Sequence, residues 1–589
     1  MDIVEKYRRG ELPVPENHWV WFLYGAGLEN LGRDGRPELR PVPTYGPTEL
    51  LARVDACGIC FSDIKIIKAG AEHPRLYGRD LANDPIVIGH EVALTIVGVG
   101  DEMRGQYNVG DRFVVQADVY YKGVNLAFGY MLYGGFEQYV KLGDEVLRGD
   151  DGCYLIPIRA PELGYAEAAL AEPWACVVCS YRWMHRRQLK HGGATWIIGT
   201  PEAQNKQYTL GALQDGPPPA RVMVTDVPES LQGEVARLIA KWGARQCVGN
   251  GLSAGALRPF AESRTEGAGV DDIIILGGDR PEVIEECSAV LAREGILTIV
   301  TDHPLARPVS IDVGRVHYDQ IRFLGCTGPD ISVAYVESRE PRLEPGGKFW
   351  VVGAGGPMGQ MHVQWALEQP EPPEIIVASD IDRQRLAIVA ARFSAVAQQR
   401  GSRLECLNPK EMEPAEFEQR LRELAPSGFD DICVLVPVPA IISDCARYLG
   451  RKGMLNIFGG VGRGTMAEID LSPMALSLSR LQGTSGSDIE DLEMTLRLTE
   501  EGRLNTNMSV AAICGIDGAK DGLQAVVDAR YPGKTVVYPQ VEGLGLVGLD
   551  ELPEALPNVA QKLSEGAIWS REAELELLRK FLPAKYPDV

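Results

Sequence analysis

Along the first third of the chain the apolar residues fall in short runs cut by glycine and proline. The runs are VWFLYGAG (20–27), PELRPVPTYG (37–46), LLARVDACG (50–58), PIVIGHEVALTIVGVG (85–100), GDRFVVQADV (110–119) and GGFEQYVKLG (134–143). Each is rich in β-branched or aromatic residues, and many short strands with glycine punctuation predict a small, partly open β-barrel. Further on the pattern changes. Apolar strands such as TWIIG (195–199) and KFWVV (348–352) alternate with helical stretches such as MHVQWAL (361–367), the rhythm of α/β units. The fold class expected is therefore α/β with a β-rich barrel domain.

The α/β rhythm occurs twice. RFLGCTGPD (322–330) aligns without gaps to RLQGTSGSD (480–488), and Gly295 to Gly453, at an offset of 158. Gly199 pairs with Gly353 and Asp226 with Asp380 at an offset of 154. So small a drift argues for duplication. The expected domains are a catalytic barrel at 1–190, a first α/β unit at 191–343 and a second at 344–495. Residues 496–589 return to the barrel and add a tail, which holds the charged helix REAELELLRKFL (571–582) and is expected at a surface or a subunit contact.

Composition narrows the partners. The chain has 59 basic and 81 acidic residues, a net charge of −22, and no basic stripe, which argues against a nucleic-acid backbone as partner. No apolar run approaches the roughly 20 residues that span a bilayer, and no membrane role is expected. The first residues lack the basic-then-apolar order of a secretory signal, and the 12 cysteines are too dispersed for a disulfide scaffold. A cytoplasmic protein with reduced thiols is the expectation.

Three clusters in the barrel region carry potential metal ligands: CGICFSD (57–63), GHE (89–91) and AEPWAC (171–176). Cys60, His90 and Glu172 offer a thiolate, an imidazole and a carboxylate, and a catalytic zinc takes about three such ligands with one position open. Together with IGHEVALTIVGVG, VGDRFVV and GGFEQYV, in order across residues 45–180, these clusters resemble the zinc-containing medium-chain dehydrogenase/reductase family. The resemblance implies an N-terminal GroES-like barrel followed by Rossmann-type doubly wound sheets. It gives Cys60 and His90 as zinc ligands, with Glu91 and Glu172 as further or alternating ones, as in the polyol and threonine dehydrogenase branch. Ser62 matches the family's proton-relay hydroxyl, and Lys65 falls where some members place a relay histidine, although a solvated surface lysine is an equal reading. Asp63 is placed to orient His90. The family's cysteine-rich structural-zinc lobe has no counterpart in residues 116–135, which contain no cysteine, so one zinc per chain is expected. Cys57, Cys176 and Cys179 read as core thiols.

The second α/β unit has the better nucleotide loop. KFWVV leads into GAGGPMG, where Gly353, Gly355, Gly356 and Gly359 permit a tight turn and close approach of a pyrophosphate to a helix N-terminus. Asp380 ends the next strand, 21 residues past Gly359, where an acid suits the ribose hydroxyls of NAD and repels the extra phosphate of NADP. Asp382 reads as a helix N-terminal residue instead. In the first unit TPEAQNKQYTLG follows TWIIG; the glycines are gone, while Asp226 survives. That unit is either scaffold, the favoured reading, or binds through a different loop. Since relatives dimerise by joining cofactor-domain edges, the tandem pair would mimic such a dimer within one chain.

The expected function is a zinc-dependent, NAD-linked oxidoreductase acting on a secondary alcohol or ketone of a polyol, sugar or sugar phosphate. The resemblance points to the sorbose-phosphate-reductase-like branch. The alternatives are a non-catalytic nucleotide-binding or regulatory protein on the same scaffold, and a simple alcohol or aldehyde dehydrogenase. Whether copies of the chain form a homo-oligomer is left open.

Overall fold

A computed structural model describes residues 2–182, 186–251, 255–278, 280–484 and 486–587. Ser485, inside the second of the matched stretches, lies outside the described residues. The chain divides into two units, one formed by residues 1–178 with 486–589 and the other by residues 179–485.

The first unit is built on an eight-stranded sheet whose centre is Leu50–Gly58, buried at all nine positions. Glu91–Val99 pairs antiparallel on one side of it, and Lys534–Tyr538, from the far end of the chain, pairs antiparallel on the other. Val536 sits opposite Gly58 and Val537 opposite Cys57, so the returning segment closes the sheet beside the expected metal ligands. Helix α1 (Phe61–Ala69) leaves directly from the central strand, and helix α2 (Ala171–Arg182) carries Glu172. The tail helix Arg571–Lys585 is not a surface appendage. It buries Ala573, Leu577, Leu578 and Leu582, and Glu574 accepts hydrogen bonds from Tyr165 N, Ala166 N and the Tyr538 hydroxyl. Apart from Glu574, its charged appearance in the sequence comes from the outer face.

The second unit holds one twelve-stranded sheet. Its strands are β1 (Ala194–Gly199), β2 (Arg221–Thr225), β3 (Arg245–Gly249), β4 (Val270–Leu276), β5 (Leu291–Val300) and β6 (Arg322–Cys326), then β7 (Lys348–Val352), β8 (Ile375–Ser379), β9 (Arg403–Leu407), β10 (Phe429–Val434), β11 (Leu449–Ile457) and β12 (Arg480–Gly483). The spatial order is 3-2-1-4-5-6-12-11-10-7-8-9. Each half therefore has the 3-2-1-4-5-6 order of a Rossmann-type sheet, parallel throughout. The halves meet edge to edge, with β6 antiparallel to β12 through Phe323 and Leu481, and with Val309–Asp312 paired to Met466–Ile469. A shared apolar core runs across the seam and includes Ile299, Phe323, Leu455 and Leu481. An edge strand left open would template unwanted pairing; each half covers the other's.

Candidate metal centre and nucleotide loop

The central strand of the first unit ends in Gly58, and the chain turns at Cys60 into α1. Asp63, fully buried on the first turn, fixes two loops at once: its Oδ2 accepts from Cys60 N at 2.8 Å and its Oδ1 from Gly89 N at 3.2 Å. Gly89 has φ +97°, and a Cβ there would lie 2.7 Å from the Phe136 ring and 2.8 Å from Cys57 Sγ, so only glycine lets the chain pass and present His90. Cys57 is buried core, as expected.

These loops bring Cys60, His90 and Glu91 together, with ligating atoms all within 4.8 Å of one another. His90 Nδ1 lies 3.4 Å from Asp63 Oδ1, which leaves the other ring nitrogen for the cluster. Burial opposes a charge on His90, yet Asp63 and Cys60 beside it hold its pKa well above the ordinary value. Glu91 is fully buried, and one oxygen pairs with the Lys534 ammonium. Its other oxygen, Oε2, has no hydrogen-bond partner among the described residues. A Cβ on Gly58 would stand 2.1 Å from that oxygen, so the glycine makes room for it. An unsatisfied buried carboxylate oxygen costs about 1–3 kcal/mol or more. A thiol, an imidazole and such an oxygen are the donor set of a divalent zinc site, and the residues fit that ion.

Glu172 is buried on α2, with His90, Glu91 and Lys534 among its electrostatic neighbours, but it does not join the 4.8 Å group. Burial pushes its carboxyl up to about 7. Cys176, one helical turn on, feels Glu172 and Cys60 and so faces the same region, where the sequence suggested only core. Ser62 is half-buried at the start of α1, and Lys65 is exposed one turn later.

Sequence reasoning missed Lys534. It is buried, donates to Ile59 O at 3.0 Å, and keeps its charge against burial through Glu91. The only signal was a lysine opening an otherwise apolar strand, KTVVY. The set around Tyr130 was also missed. Its ring lies 5.9 Å from that of His90, and Arg75 sits 5.3 Å above it while pairing with Asp118 at 2.7 Å.

In the second unit the glycine loop follows β7 and opens helix α3 (Pro357–Glu368), with Gly356 at its N-cap. Gly353 has φ +87°, and a Cβ on Gly359 would meet Gly353 O at 2.3 Å, so loop and helix pack backbone to backbone. Asp380 Oδ2 accepts from Gly355 N at 2.8 Å and ties the acid to the loop. Asp382 caps the next helix by accepting from Gln384 N and Arg385 N.

Residues 46–148 match the alcohol dehydrogenase GroES-like domain. The chain is 28% identical over 345 residues to YggP, an uncharacterised protein of Escherichia coli (strain K12), covering 55% of this chain and 79% of that one. It is 26% identical to the mannitol-1-phosphate 5-dehydrogenase of Aliivibrio fischeri (51% and 69% covered) and 29% identical to the sorbitol dehydrogenase of Bacillus subtilis (49% and 76% covered). The N-terminal part of the chain therefore carries the GroES-like domain of the alcohol dehydrogenases. Its family match falls on the strands and loops that hold Cys60, His90 and Glu91, the part of the chain where the site geometry is tightest. Among the described residues, no helix is long and apolar enough to cross a membrane.

Proposed function

We propose that this chain is a zinc-dependent oxidoreductase of the medium-chain dehydrogenase/reductase family that moves hydride between NAD(H) and a secondary alcohol or ketone on a polyol, sugar or sugar phosphate. The observation that carries the reading is the convergence of Cys60, His90 and Glu91, with one buried Glu91 oxygen that has no hydrogen-bond partner among the described residues. The named relatives that act on mannitol 1-phosphate and sorbitol support the substrate class.

Cys60 and His90 would hold zinc, with Glu91 or Glu172 as the carboxylate ligand. When bound, zinc polarises the substrate oxygen and the nicotinamide takes or gives the hydride. The rest falls to the chain. Asp63 holds the Cys60 backbone by a hydrogen bond and lies 3.4 Å from His90 Nδ1, where it would orient the ring. Lys534 balances one Glu91 oxygen inside the buried site. Ser62 would take the substrate proton, and Lys65, exposed one turn on, would pass it to solvent. The loop from Gly353 to Gly359 would hold the pyrophosphate at the N-terminus of α3, and Asp380 the ribose, which favours NAD over NADP.

The test is metal content on purified protein, for wild type and Cys60→Ser, alongside NAD-linked oxidation of polyols and reduction of ketose phosphates. About one zinc per chain is expected, lost in the variant together with activity. Near-zero zinc in protein prepared without chelator would leave a nucleotide-binding scaffold as the better reading.

A further inference from the structure

In the first half of the sheet, which lost its glycine loop, a cavity of about 1030 Å³ opens beyond the carboxyl ends of β1, β2 and β3. Its lining includes Gly199, Thr225, Asp226, Val248, Asn250 and Arg280. β1 has β2 on one side and β4 on the other, so this is where the strand order reverses, the place where open α/β sheets take ligands. We infer that this cavity is a second ligand site and that it takes a nucleoside, a flat base on a vicinal diol, without a diphosphate.

The groups suited to a nucleoside have been kept. Asp226 directly follows β2 as Asp380 follows β8, and it holds φ +48°, a conformation that aspartate tolerates better than most residues. Both its oxygens accept from Gly251 N, at 2.9 and 3.1 Å, and the side chain is only partly covered. A carboxylate has about four lone-pair positions, enough to add the two hydroxyls of a diol. Asn250 is the first residue after β3, as Asn408 is after β9. Val248 stands on the cavity wall 53% exposed, an apolar surface that a base would cover.

The groups suited to a diphosphate are gone. Pro201 and Glu202 occupy the places of Gly355 and Gly356, and the loop makes a three-residue 3₁₀ turn. No α-helix follows between β1 and β2, where the second half has the twelve residues of α3. The cluster of free N–H groups that would meet an anion is therefore missing. Thr200 turns its hydroxyl to Leu276 O and Gly277 O. Arg280, the cation on the wall, is held by Glu202 at 2.7 Å, while Glu282 adds a further acid to the lining. The pairing lowers the Glu202 carboxyl to about 2, so it stays charged and repels phosphate.

The experiment titrates the full chain with adenosine by calorimetry, at saturating NADH so that the loop at 353–359 is taken. One adenosine per chain is expected, with a Kd on the order of 100 μM for a ligand of this size. Asp226→Ala and 2′-deoxyadenosine should each weaken binding about tenfold or more, and AMP should bind more weakly than adenosine. Val248→Trp, at a half-exposed position on the outermost strand β3, fills the base slot and should abolish binding without unfolding the sheet. The inference is overturned if adenosine does not bind below about 10 mM, if neither variant weakens it, or if AMP binds more tightly. Should NADH itself fail to bind, the adenosine titration of the two variants still decides the question, so the two readings fail separately.

Discussion

Trp196 and Trp350 do the same work in the two halves of the twelve-stranded sheet. Each is buried on the first strand of its half and donates its indole N–H, at 2.9 Å, to a hydroxyl at the end of the second strand: Thr225 in one half and Ser379 in the other. The anchoring of the incoming chain is also repeated. Asp271 accepts from Ala194 N and Asp430 from Lys348 N, both at 2.8 Å. Asp272 and Asp431, buried on β4 and β10, each pair with an arginine from the segment before the first strand, Arg186 and Arg339. The halves part company only at the strand tips, where one has a glycine loop and a helix and the other a proline, a glutamate and a short turn. Ligand chemistry sits on loops at strand ends, so it can be lost without touching the packing that holds the sheet.

The largest effect should come from breaking the shared anchors. Asp431→Ala removes the buried acceptor of Arg339 and Glu344 N, and Asp272→Ala that of Arg186, Lys190 N and the Tyr335 hydroxyl; each should cost about 3 kcal/mol, read from denaturant midpoints. A loss under about 1 kcal/mol for Asp272→Ala alone would mean that the first half is held differently, and the symmetry would be superficial.

Next comes the feature that differs. Gly359→Val drives side-chain atoms into Gly353 O, where even a Cβ has only 2.3 Å. NADH binding by calorimetry should fall about 100-fold or more, while zinc content stays at the wild-type value. Unchanged NADH affinity would move the cofactor away from this loop.

Much of this was readable before any coordinates. Strand–glycine–helix spacing and the two constant offsets marked both Rossmann-type halves, because backbone pairing and turns impose local rules on local residues. The CGIC and GHE motifs pointed to Cys60 and His90 for the same reason, since each sits at a turn that its neighbours dictate; the third donor was read first as Glu172, whereas the structure groups Glu91 with them. Lys534 was invisible because it reaches Glu91 from 443 residues away, through a strand pairing that no local pattern encodes. The tail helix was misjudged because its buried stripe is narrow beside its charges. The cavity near Asp226 was hidden because the glycine pattern announces a phosphate, and nothing as regular announces a nucleoside.

A smaller effect is expected at the seam, where the symmetry has a cost. Arg322 on β6 and Arg480 on β12 are both buried and repel each other; burial and Arg339 together depress the Arg480 guanidinium to about 9. Arg480 bonds to Met454 Sδ and Ser338 Oγ, and among the described residues no carboxylate lies within ion-pair distance of it. A buried charge so placed is often better replaced by an apolar side chain. Arg480→Met should therefore raise stability by about 1–3 kcal/mol, and a loss of that size would show that the seam depends on the charge.

The smallest expected effect is the most pointed. The triple variant Thr200→Ala, Pro201→Gly, Glu202→Gly gives the first half the residues that follow Gly353 in the second. If glycines alone made the phosphate site, the variant would bind a second NADH per chain. The structure says otherwise, because β1 still leads into 3₁₀ turns rather than a helix, and the oriented N–H groups that meet a diphosphate come from the helix. Calorimetry should show the same NADH stoichiometry as wild type and an affinity within about twofold. A second NADH per chain would place the whole difference between the halves in three residues of loop and none of it in the missing helix.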